Sequence, residues 1–306
     1  MTDGGRPAGV RADGGAADGR AAGDGAAWAI VLAAGGGTRF GGPKQFADLG
    51  GHPLVAHPVR SASAACDGVV VVLPAPLLDR WVPPTGVRAV PGGATRAESV
   101  RAGLAAVPAD ADVIVVTDAA HPLASPALYR AVVAAVRGGA DGAVPGLPLT
   151  EVVKEVREAP RNDGPGAGAD LVTGASLPRE THRLVQTPHA FRATALRAAH
   201  SGAVEAVEDS AMVADAGGRV VVVAGEPANI HVTTPEELDL ARLLLIHVQD
   251  EGEPAAPAPG TEVLLIPGPA TPGPPGPGSD DWAAAGHRAA PEAPVAVRRG
   301  PPNSSR

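Results

Sequence analysis

Two cations lie in a glycine-rich stretch near the start of the apolar part of this 306-residue chain. Residues 33–45 read AAGGGTRFGGPKQ, which includes Arg39 and Lys44. Glycines let backbone amides approach a ligand closely, and successive exposed amides form a nest for phosphate oxygens. Arginine adds a planar fork of donors and lysine adds a compact positive charge. The stretch therefore has the composition of a site for a phosphorylated ligand.

This stretch departs from the two common phosphate-binding fingerprints. No third glycine follows Gly35 and Gly37 at the offset that the dinucleotide-binding motif requires. Lys44 is followed by Gln45, whereas a P-loop has serine or threonine at that position. The spacing alone leaves open a glycine-rich turn whose two cations are simply solvated.

An acidic residue, Asp118, follows the apolar run VIVVT at residues 113–117. In an open α/β sheet, ligands bind beyond the carboxyl ends of the strands. Asp118 and the loop after Ala34 are therefore the two predicted places for chemistry. The competing interpretation is that Asp118 caps the following helix.

The elements that would position these residues alternate between short apolar runs and helical stretches. Such runs are typical of strands buried on both faces of a parallel sheet. The predicted strands are Trp28–Ala34, Val69–Leu73, Arg88–Val90, Val113–Thr117, Gly142–Pro145 and Val220–Ala224. The predicted helices are Leu54–Ala65, Ala97–Ala106 with Thr95 as cap, Pro126–Arg137 with Ser125 as cap, Ala193–Ala199, and one from Pro235 to about His247 with a Thr234/Glu237 capping box. The alternation predicts a doubly wound, mostly parallel α/β sheet.

Composition divides the chain into three parts. Residues 1–26 and 249–306 are rich in Gly, Ala and Pro, bury too little apolar surface to offset chain entropy, and are predicted to be disordered tails. Residues 27–248 form the predicted domain. Within it, the stretch of about 150–180 is polar and Pro/Gly-rich, and its flanks Glu151–Val156 and Asp170–Thr173 are predicted to pair as a projecting β-arm.

Whole-chain composition argues against several classes of function. The net charge of −8 and the aromatic content of 2% do not suit a broad nucleic-acid surface, which needs a basic stripe or stacking platforms. No apolar run is long enough to span a bilayer, and no secretory signal is recognisable. The single cysteine, Cys66, fits a reducing compartment. The predicted location is cytoplasmic, with no nucleic acid and no membrane as partner.

The glycine stretch and five further blocks together resemble one enzyme family. AAGGGTRFGGPKQF after a buried strand resembles the nucleotide-binding loop of sugar-phosphate nucleotidyltransferases. Its PKQF ending is similar to the 2-C-methyl-D-erythritol 4-phosphate cytidylyltransferases and the related ribitol-5-phosphate cytidylyltransferases. The other blocks follow in the family's order: Gly92–Val100, Asp118–Pro122, Gln186–Pro188, Glu208–Ser210 and Asn229–Leu238. The resemblance implies a Rossmann-like nucleotidyltransferase fold with a β-arm.

The resemblance also implies a reaction and the residues that perform it. The phosphate oxygen of a sugar-alcohol phosphate attacks the α-phosphorus of CTP, and pyrophosphate leaves. Lys44 would contact the α-phosphate, Arg39 would hold the β- and γ-phosphates, and Asp118 would bind Mg²⁺. The nucleotide would contact two loops through Ala33, Ala34, Gly35, Gly36, Gly37, Gly92, Arg96 and Ser99. Arg96 would also buttress the second loop.

The acceptor side of the implied site is altered. The family's usual arginine after Asp-Ala-Ala is His121, its usual lysine in Asn-Ile-Lys is His231, and its usual threonine falls on Val152. Thr150 would share a strand face with Val152 and supply a hydroxyl instead, and a histidine can become cationic beside phosphate. Arg179 matches an arginine that a neighbouring subunit provides for the acceptor's phosphate. That match implies a homodimer whose arms embrace.

The leading hypothesis is transfer of CMP from CTP to 2-C-methyl-D-erythritol 4-phosphate in non-mevalonate isoprenoid precursor biosynthesis. Two alternatives stay open. One is the same transfer to another polyol phosphate, such as ribitol 5-phosphate, and the other is a catalytically weak paralogue that binds the nucleotide. An oxidoreductase is disfavoured because the dinucleotide fingerprint is incomplete.

Overall fold

The protein is described by a computed structural model that covers residues 25–160, 169–202 and 208–250. All of these residues belong to one unit of the chain, residues 1–265, and a second unit, residues 266–306, lies outside the described part. The predicted tails at 1–26 and 249–306 fall almost entirely outside the described residues. Their disorder therefore stays a prediction.

A central sheet organises the described residues. In chain order the strands are β1 (Ala26–Leu32), β2 (Asp48–Leu49), β3 (His52–Pro53), β4 (Gly68–Leu73), β5 (Val87–Pro91), β6 (Ala111–Asp118), β7 (Gly142–Pro148), β8 (Lys154–Pro160), β9 (Ala169–Ser176), β10 (Arg183–Val185), β11 (His189–Arg192) and β12 (Val220–Ala224). The sheet order is β10-β7-β11-β6-β1-β4-β5, with β12 also paired to β7. Strands β6, β1, β4 and β5 are mutually parallel, as are β7 and β12. Strands β10 and β11 run antiparallel to their neighbours, so the sheet is mostly parallel, as predicted.

Helices cover both faces of this sheet. They are α1 (Ala56–Ser63), α2 (Arg96–Ala106), α3 (Pro126–Arg137), α4 (Ala193–Ala199), α5 (Asp209–Asp215) and α6 (Pro235–Asp250). Strand β1 alternates between the two layers: Ala29 and Val31 pack with residues of α1, α3 and α6, whereas Ile30 and Leu32 pack with residues of α2, α4 and α5. Because both faces of β1 are buried, its sequence is a continuous apolar run. The predicted doubly wound fold is confirmed.

The predicted helix caps are also present. The Ser125 hydroxyl accepts the Leu128 N–H at the start of α3. Thr95 and Glu98 form a capping box on α2, and Thr234 and Glu237 form one on α6. These side chains satisfy amides that a helix leaves unpaired at its first turn. They also fix where the helices nearest to the glycine-rich loop begin.

The arm is a two-stranded antiparallel hairpin of β8 and β9, separate from the central sheet. The pairing of the two flanks was predicted, but β8 begins three residues later and ends four residues later than predicted, and β9 is longer at both ends. Residues 161–168, between them, lie outside the described part. In the described part of the chain, no helix combines the length and apolar character needed to cross a membrane.

Candidate active site

The glycine-rich loop begins directly at the end of β1, two residues earlier than predicted, because β1 ends at Leu32. Gly37 has a φ of +65°, and its carbonyl accepts the N–H groups of Phe40 and Gly42 at 3.0 and 3.2 Å. A Cβ at Gly37 would lie 1.8 Å from the carbonyl oxygen of Gly42. Only glycine fits this position, and the turn leaves the Arg39 side chain exposed.

Lys44 starts a short 3₁₀ turn that closes the loop. Its Nζ donates a hydrogen bond to the carbonyl oxygen of Val232 at 2.8 Å. Partial burial lowers the pKa of Lys44, and nearby Arg39 lowers it further, while Asp118 acts in the opposite direction. The charges of Arg39 and Asp118 are therefore close enough to Lys44 to affect its protonation. An anion placed between Arg39 and Lys44 would offset their mutual repulsion.

Asp118 is the last residue of β6, directly beside Leu32 at the end of β1. Its side chain is 31% exposed, and its Oδ1 lies 3.9 Å from the Nε of Arg96. The alternative that Asp118 caps the next helix is wrong, because Ser125 caps α3. The carboxylate is therefore free of a structural capping role and lies at the carboxyl end of two adjacent parallel strands.

A cavity of about 320 Å³ joins Lys44 and Asp118, whereas the exposed Arg39 does not line it. It is lined by Lys44, Gln45, His231, the residues Leu32, Ala33, Ala34, Gly35 and Gly36, the loop residues Gly93, Ala94, Thr95, Arg96 and Ser99, and the strand-end residues Asp118, Ala119 and Ala120. Of the predicted nucleotide contacts, only Gly37 and Gly92 are absent from this lining. A Cβ at Gly92 would lie 2.5 Å from the Cβ of Ala34, so a larger residue there would push the two loops apart.

The second loop of the cavity, residues 92–95, is held by the start of α2. The Ser99 hydroxyl donates to the carbonyl oxygen of Thr95 at 3.0 Å and accepts the Gly93 N–H at 3.2 Å. The Glu98 carboxylate accepts the N–H groups of Ala94 and Thr95. Ser99 was predicted to contact the nucleotide. It lines the cavity, and its hydroxyl also fixes the shape of the loop.

Arg96 connects this loop to the rest of the site. Its Nη1 donates to Asp209 Oδ2 at 2.8 Å, and its Nε faces Asp118. The predicted buttressing role is consistent with this arrangement. Sequence reasoning assigned no role to Asp209, although the Glu208–Ser210 block was part of the family resemblance.

The two histidines that replace family cations lie against each other. The rings of His121 and His231 stack with centroids 4.7 Å apart and planes 15° from parallel. Burial lowers the pKa of His121 to about 3, with smaller contributions from His231, His189 and Lys44. Burial and then Lys44 lower the pKa of His231 as well. Without a neighbouring anion both rings are therefore uncharged at neutral pH, and a histidine made cationic by the acceptor's phosphate stays a prediction.

Hydrogen bonds hold the segment that carries His231 against the sheet. The Val232 N–H donates to the carbonyl oxygen of Ala120 at 2.7 Å, and Asn229 Nδ2 donates to the carbonyl oxygen of Thr187 at 2.9 Å. The Thr187 hydroxyl in turn contacts His121 Nδ1 at 3.0 Å. The stacked pair is thus positioned by two distant parts of the chain.

Three predicted acceptor residues lie away from this cavity. Thr150 and Val152 precede β8, which begins at Lys154, so the prediction that they share a strand face is wrong. Both side chains are exposed, and Val152 is 59% exposed. Arg179 follows β9, and its Nη1 donates to the carbonyl oxygen of Thr150 at 3.0 Å. These residues form the base of the arm, and none of the three lines the cavity of the same chain.

The cavity suits a divalent cation bound together with a polyphosphate. Within residues 25–160, 169–202 and 208–250, no cluster of three or more His, Cys, Asp or Glu side chains could hold a metal. Mg²⁺ is commonly bound by one or two carboxylates plus substrate phosphates and waters, which is what Asp118 offers. In addition, the buried Gln45 lines the cavity, and its Nε2 lacks a hydrogen-bond partner among the described residues. Sequence reasoning missed Gln45, although it belongs to the PKQF string.

The sequence of the chain is similar to one known family of enzymes. The family model described as 2-C-methyl-D-erythritol 4-phosphate cytidylyltransferase matches residues 27–247. A protein of that name from Nocardia farcinica is 42% identical over 230 residues, which cover 72% of this chain and 95% of the relative. One from Streptomyces coelicolor is 42% identical over 231 residues, which cover 71% and 84%.

Solved structures lead to the same family. The crystal structure of 2-C-methyl-D-erythritol 4-phosphate cytidylyltransferase from Thermus thermophilus is 32% identical, with a TM-score of 0.56, and covers 72% of this chain and 98% of that one. A synthase structure from Anaerococcus prevotii is 22% identical with a TM-score of 0.58, which supports the fold. With the family match over most of the described residues, this chain belongs to the 2-C-methyl-D-erythritol 4-phosphate cytidylyltransferase family.

Proposed function

We propose that this protein transfers CMP from CTP to 2-C-methyl-D-erythritol 4-phosphate and releases pyrophosphate, as a step in isoprenoid precursor synthesis. The observation that carries the proposal is the cavity that joins Lys44 and Asp118 beneath the glycine-rich loop, with Arg39 close enough to affect Lys44. The relatives' shared name supplies the identity of the acceptor.

The reaction forms one bond and breaks one. A phosphate oxygen of the acceptor attacks the α-phosphorus of CTP, and the bond from that phosphorus to the oxygen bridging to the β-phosphorus breaks. The departing pyrophosphate takes the electron pair. No covalent bond to the protein is required, so the side chains act by positioning the phosphates and stabilising their charge.

Each cation has a distinct place in this scheme. Lys44 would exchange its hydrogen bond to the Val232 carbonyl for the α-phosphate, whose negative charge favours the ammonium form. Arg39, exposed at the tip of the loop, would hold the β- and γ-phosphates with its planar fork. The loop amides would bind the remaining phosphate oxygens.

Mg²⁺ would be held by Asp118 and would neutralise phosphate charge when bound. The pocket side of Asp118 faces the glycine-rich loop, and Arg96 is its nearest cation in the described residues. The nucleotide base would lie against the small residues Ala33 and Ala34 and against the loop that precedes α2. A narrow pocket of this kind favours a pyrimidine over a purine by size.

The acceptor's phosphate would be bound partly by a second copy of the chain. Arg179 and Thr150 lie together at the base of the arm but outside the cavity. The arm also exposes apolar side chains, including Val156 at 60% and Leu171 at 71%. A homodimer in which each arm covers the partner's cavity would bury these side chains and complete the acceptor site. The cytoplasm remains the predicted location.

The test measures pyrophosphate release from CTP and Mg²⁺ with 2-C-methyl-D-erythritol 4-phosphate, and in parallel with ribitol 5-phosphate. Lys44→Ala should lower kcat by about 10²–10³-fold, the usual cost of removing one group that stabilises transition-state charge. The control is Arg60→Ala, which removes an exposed cation on α1.

The outcomes separate the three hypotheses. Faster turnover of ribitol 5-phosphate would favour the alternative acceptor, a possibility raised by the uncharged His121 and His231 pair. Calorimetric binding of CTP without turnover of either acceptor would favour a nucleotide-binding paralogue. Equal rates in the wild type and Lys44→Ala would refute the assigned role of Lys44.

A further inference from the structure

A buried carboxylate lies beside Arg96, the first residue of α2. Asp209 is the first residue of α5 and is 1% exposed. Its Oδ1 is 2.8 Å from the Nε2 of the buried His200, which follows α4. Its Oδ2 accepts the hydrogen bond from Arg96 Nη1 at 2.8 Å. Both carboxylate oxygens are therefore paired, although water has almost no access to them.

Arg96 lies between two carboxylates that hold it unequally. The contact with Asp209 is a short charge-assisted hydrogen bond, whereas the 3.9 Å between Arg96 Nε and Asp118 Oδ1 is too long for one. The two contacts also differ in exposure. Asp209 is buried, while the side chains of Arg96 and Asp118 are each 31% exposed at the cavity.

The stronger contact with Asp209 fixes the position of the Arg96 guanidinium. Moving Arg96 fully onto Asp118 would leave the buried charge of Asp209 without its cationic partner, which is strongly unfavourable. Moving it onto Asp118 would also remove the carboxylate that a divalent cation needs, because Arg96 and the metal compete for the same negative charge. The pair with Asp209 keeps that competitor at a distance.

We propose that Asp209, oriented by His200, is a positioning residue that restrains Arg96 and so keeps the Asp118 carboxylate available to a divalent cation. The inference rests on the proposed binding of Mg²⁺ at Asp118. It assigns a role in nucleotide binding to two residues that do not line the cavity.

The experiment measures CTP affinity by titration calorimetry at a series of Mg²⁺ concentrations, without acceptor. The quantity compared is the Mg²⁺ concentration that gives half of the gain in CTP affinity. Asp209→Asn keeps the shape of the side chain but removes its charge, so Arg96 can close on Asp118. We expect the Mg²⁺ midpoint to rise by about three- to fivefold, the range of a partly exposed ion pair.

A double variant separates positioning from general damage. In an Arg96→Gln background the competing cation is absent, so adding Asp209→Asn should leave the Mg²⁺ midpoint unchanged. An equal rise in both backgrounds, or no rise in either, would overturn the inference. His200→Phe provides a second measurement because it keeps Asp209 in place, and it should shift the midpoint in the same direction by a smaller factor.

Asp118→Asn distinguishes this inference from the proposed function. If that variant shows the wild-type Mg²⁺ dependence, then the metal is not bound at Asp118 and both proposals about the metal fail. If Asp118→Asn loses the dependence while Asp209→Asn and His200→Phe keep the wild-type midpoint, the metal site stands and only the positioning role is rejected. Melting temperatures of all variants show whether the fold is retained.

Discussion

The proposed nucleotide half and the proposed acceptor half of the site differ in how completely a single chain builds them. On the nucleotide side, the glycine-rich loop, Lys44, Arg96 and Asp118 line one cavity and are held by hydrogen bonds between them and their supporting loops. On the acceptor side, His121 and His231 lie together, while Thr150, Val152 and Arg179 lie at the exposed base of the arm.

The difference also extends to charge. Two of the three cations placed near the nucleotide, Arg39 and Arg96, are arginines, which stay charged at any physiological pH. The acceptor side offers within the same cavity only a histidine whose pKa is lowered. Under the proposed function, one chain binds the nucleotide by itself, and the partner's arginine would be needed to bind the acceptor's phosphate firmly. The predictions below test whether one chain forms the nucleotide site while a second chain completes the acceptor site.

Among the substitutions that test this comparison, the largest effect is expected from Gly37→Ala. An alanine there would have a φ of +65° and a Cβ 1.8 Å from the Gly42 carbonyl oxygen, so the loop must change shape. Displacing phosphate-binding groups by about 1 Å can cost roughly 10²-fold in kcat/KM. The matched control is Gly42→Ala, where a Cβ would have no heavy atom within 4 Å. Similar losses in both variants would contradict the special role of the Gly37 turn.

Arg179→Ala tests the shared acceptor site. Loss of a charged hydrogen bond of about 2 kcal/mol should raise the KM for the acceptor about 30-fold, with the KM for CTP unchanged. Mixing this variant with Lys44→Ala should restore part of the activity, because each mixed dimer would contain one intact site. If the mixture shows only the sum of the two residual activities, the arm does not act across subunits.

His231→Lys adds a permanent cation to the proposed acceptor side of the cavity and so tests whether the lack of one there weakens acceptor binding. His231 is exposed and lines the cavity, so a lysine can be accommodated. We expect the KM for the acceptor at pH 7.5 to fall about fivefold, as for an added ion pair of roughly 1 kcal/mol. The KM for CTP serves as the internal control. An equal change in both values would mean that position 231 does not distinguish the two substrates.

The smallest effect concerns the capping box of α6, which follows the His231 segment. Hydrogen bonds from the side chain and backbone of Thr233 lower the pKa of Glu237 below its ordinary 4.5. The stabilisation is therefore present above pH 4.5 and is lost as the pH falls through the lowered pKa. Glu237→Gln should lower the free energy of unfolding, measured with urea at pH 7, by about 0.5 kcal/mol. This is the low end of the usual cost of removing a capping side chain, because Glu237 is partly exposed.

The effect of the same substitution should shrink as the pH falls through the lowered pKa of Glu237, because protonation removes the charge that the Thr233 hydrogen bonds stabilise. Glu236→Gln is the matched control, because Glu236 is exposed in the same first turn and forms no capping box. A destabilisation by Glu237→Gln that does not diminish at any pH below 4.5 at which the protein stays folded would show that packing rather than charge is responsible.

Sequence patterns predicted the part of the fold that is buried on two faces. Runs such as the one in β1 are continuous and apolar, and the capping residues Ser125 and Thr95 mark helix starts through local hydrogen bonds. The patterns missed β10 and β11, which have three and four residues, and α5, which has seven. Strands of three or four residues carry too few residues for a period to show. The length of α5 does not explain why it was missed, because α4 is equally long and was predicted.

The candidate site, too, could be predicted only where its residues are close together in the sequence. The loop containing Arg39 and Lys44 is contiguous in sequence, so its chemistry could be predicted directly. The pair of Arg96 and Asp209 joins residues 113 positions apart, and it depends on how α5 packs beside α2. The lowered pKa of His121 likewise depends on burial that only the folded chain creates. Contacts of this type have no local signature.

The hydrogen bond from Lys44 to Val232 links positions 188 residues apart, near the two ends of the domain. During synthesis, this lysine leaves the ribosome long before the carbonyl group that accepts its hydrogen bond. The nascent chain therefore has no assembled catalytic centre until almost the whole domain has emerged. An unfinished chain would contain the glycine-rich loop but lack the Val232 carbonyl group that binds Lys44. Under the proposed function, CTP could therefore be used only late in translation.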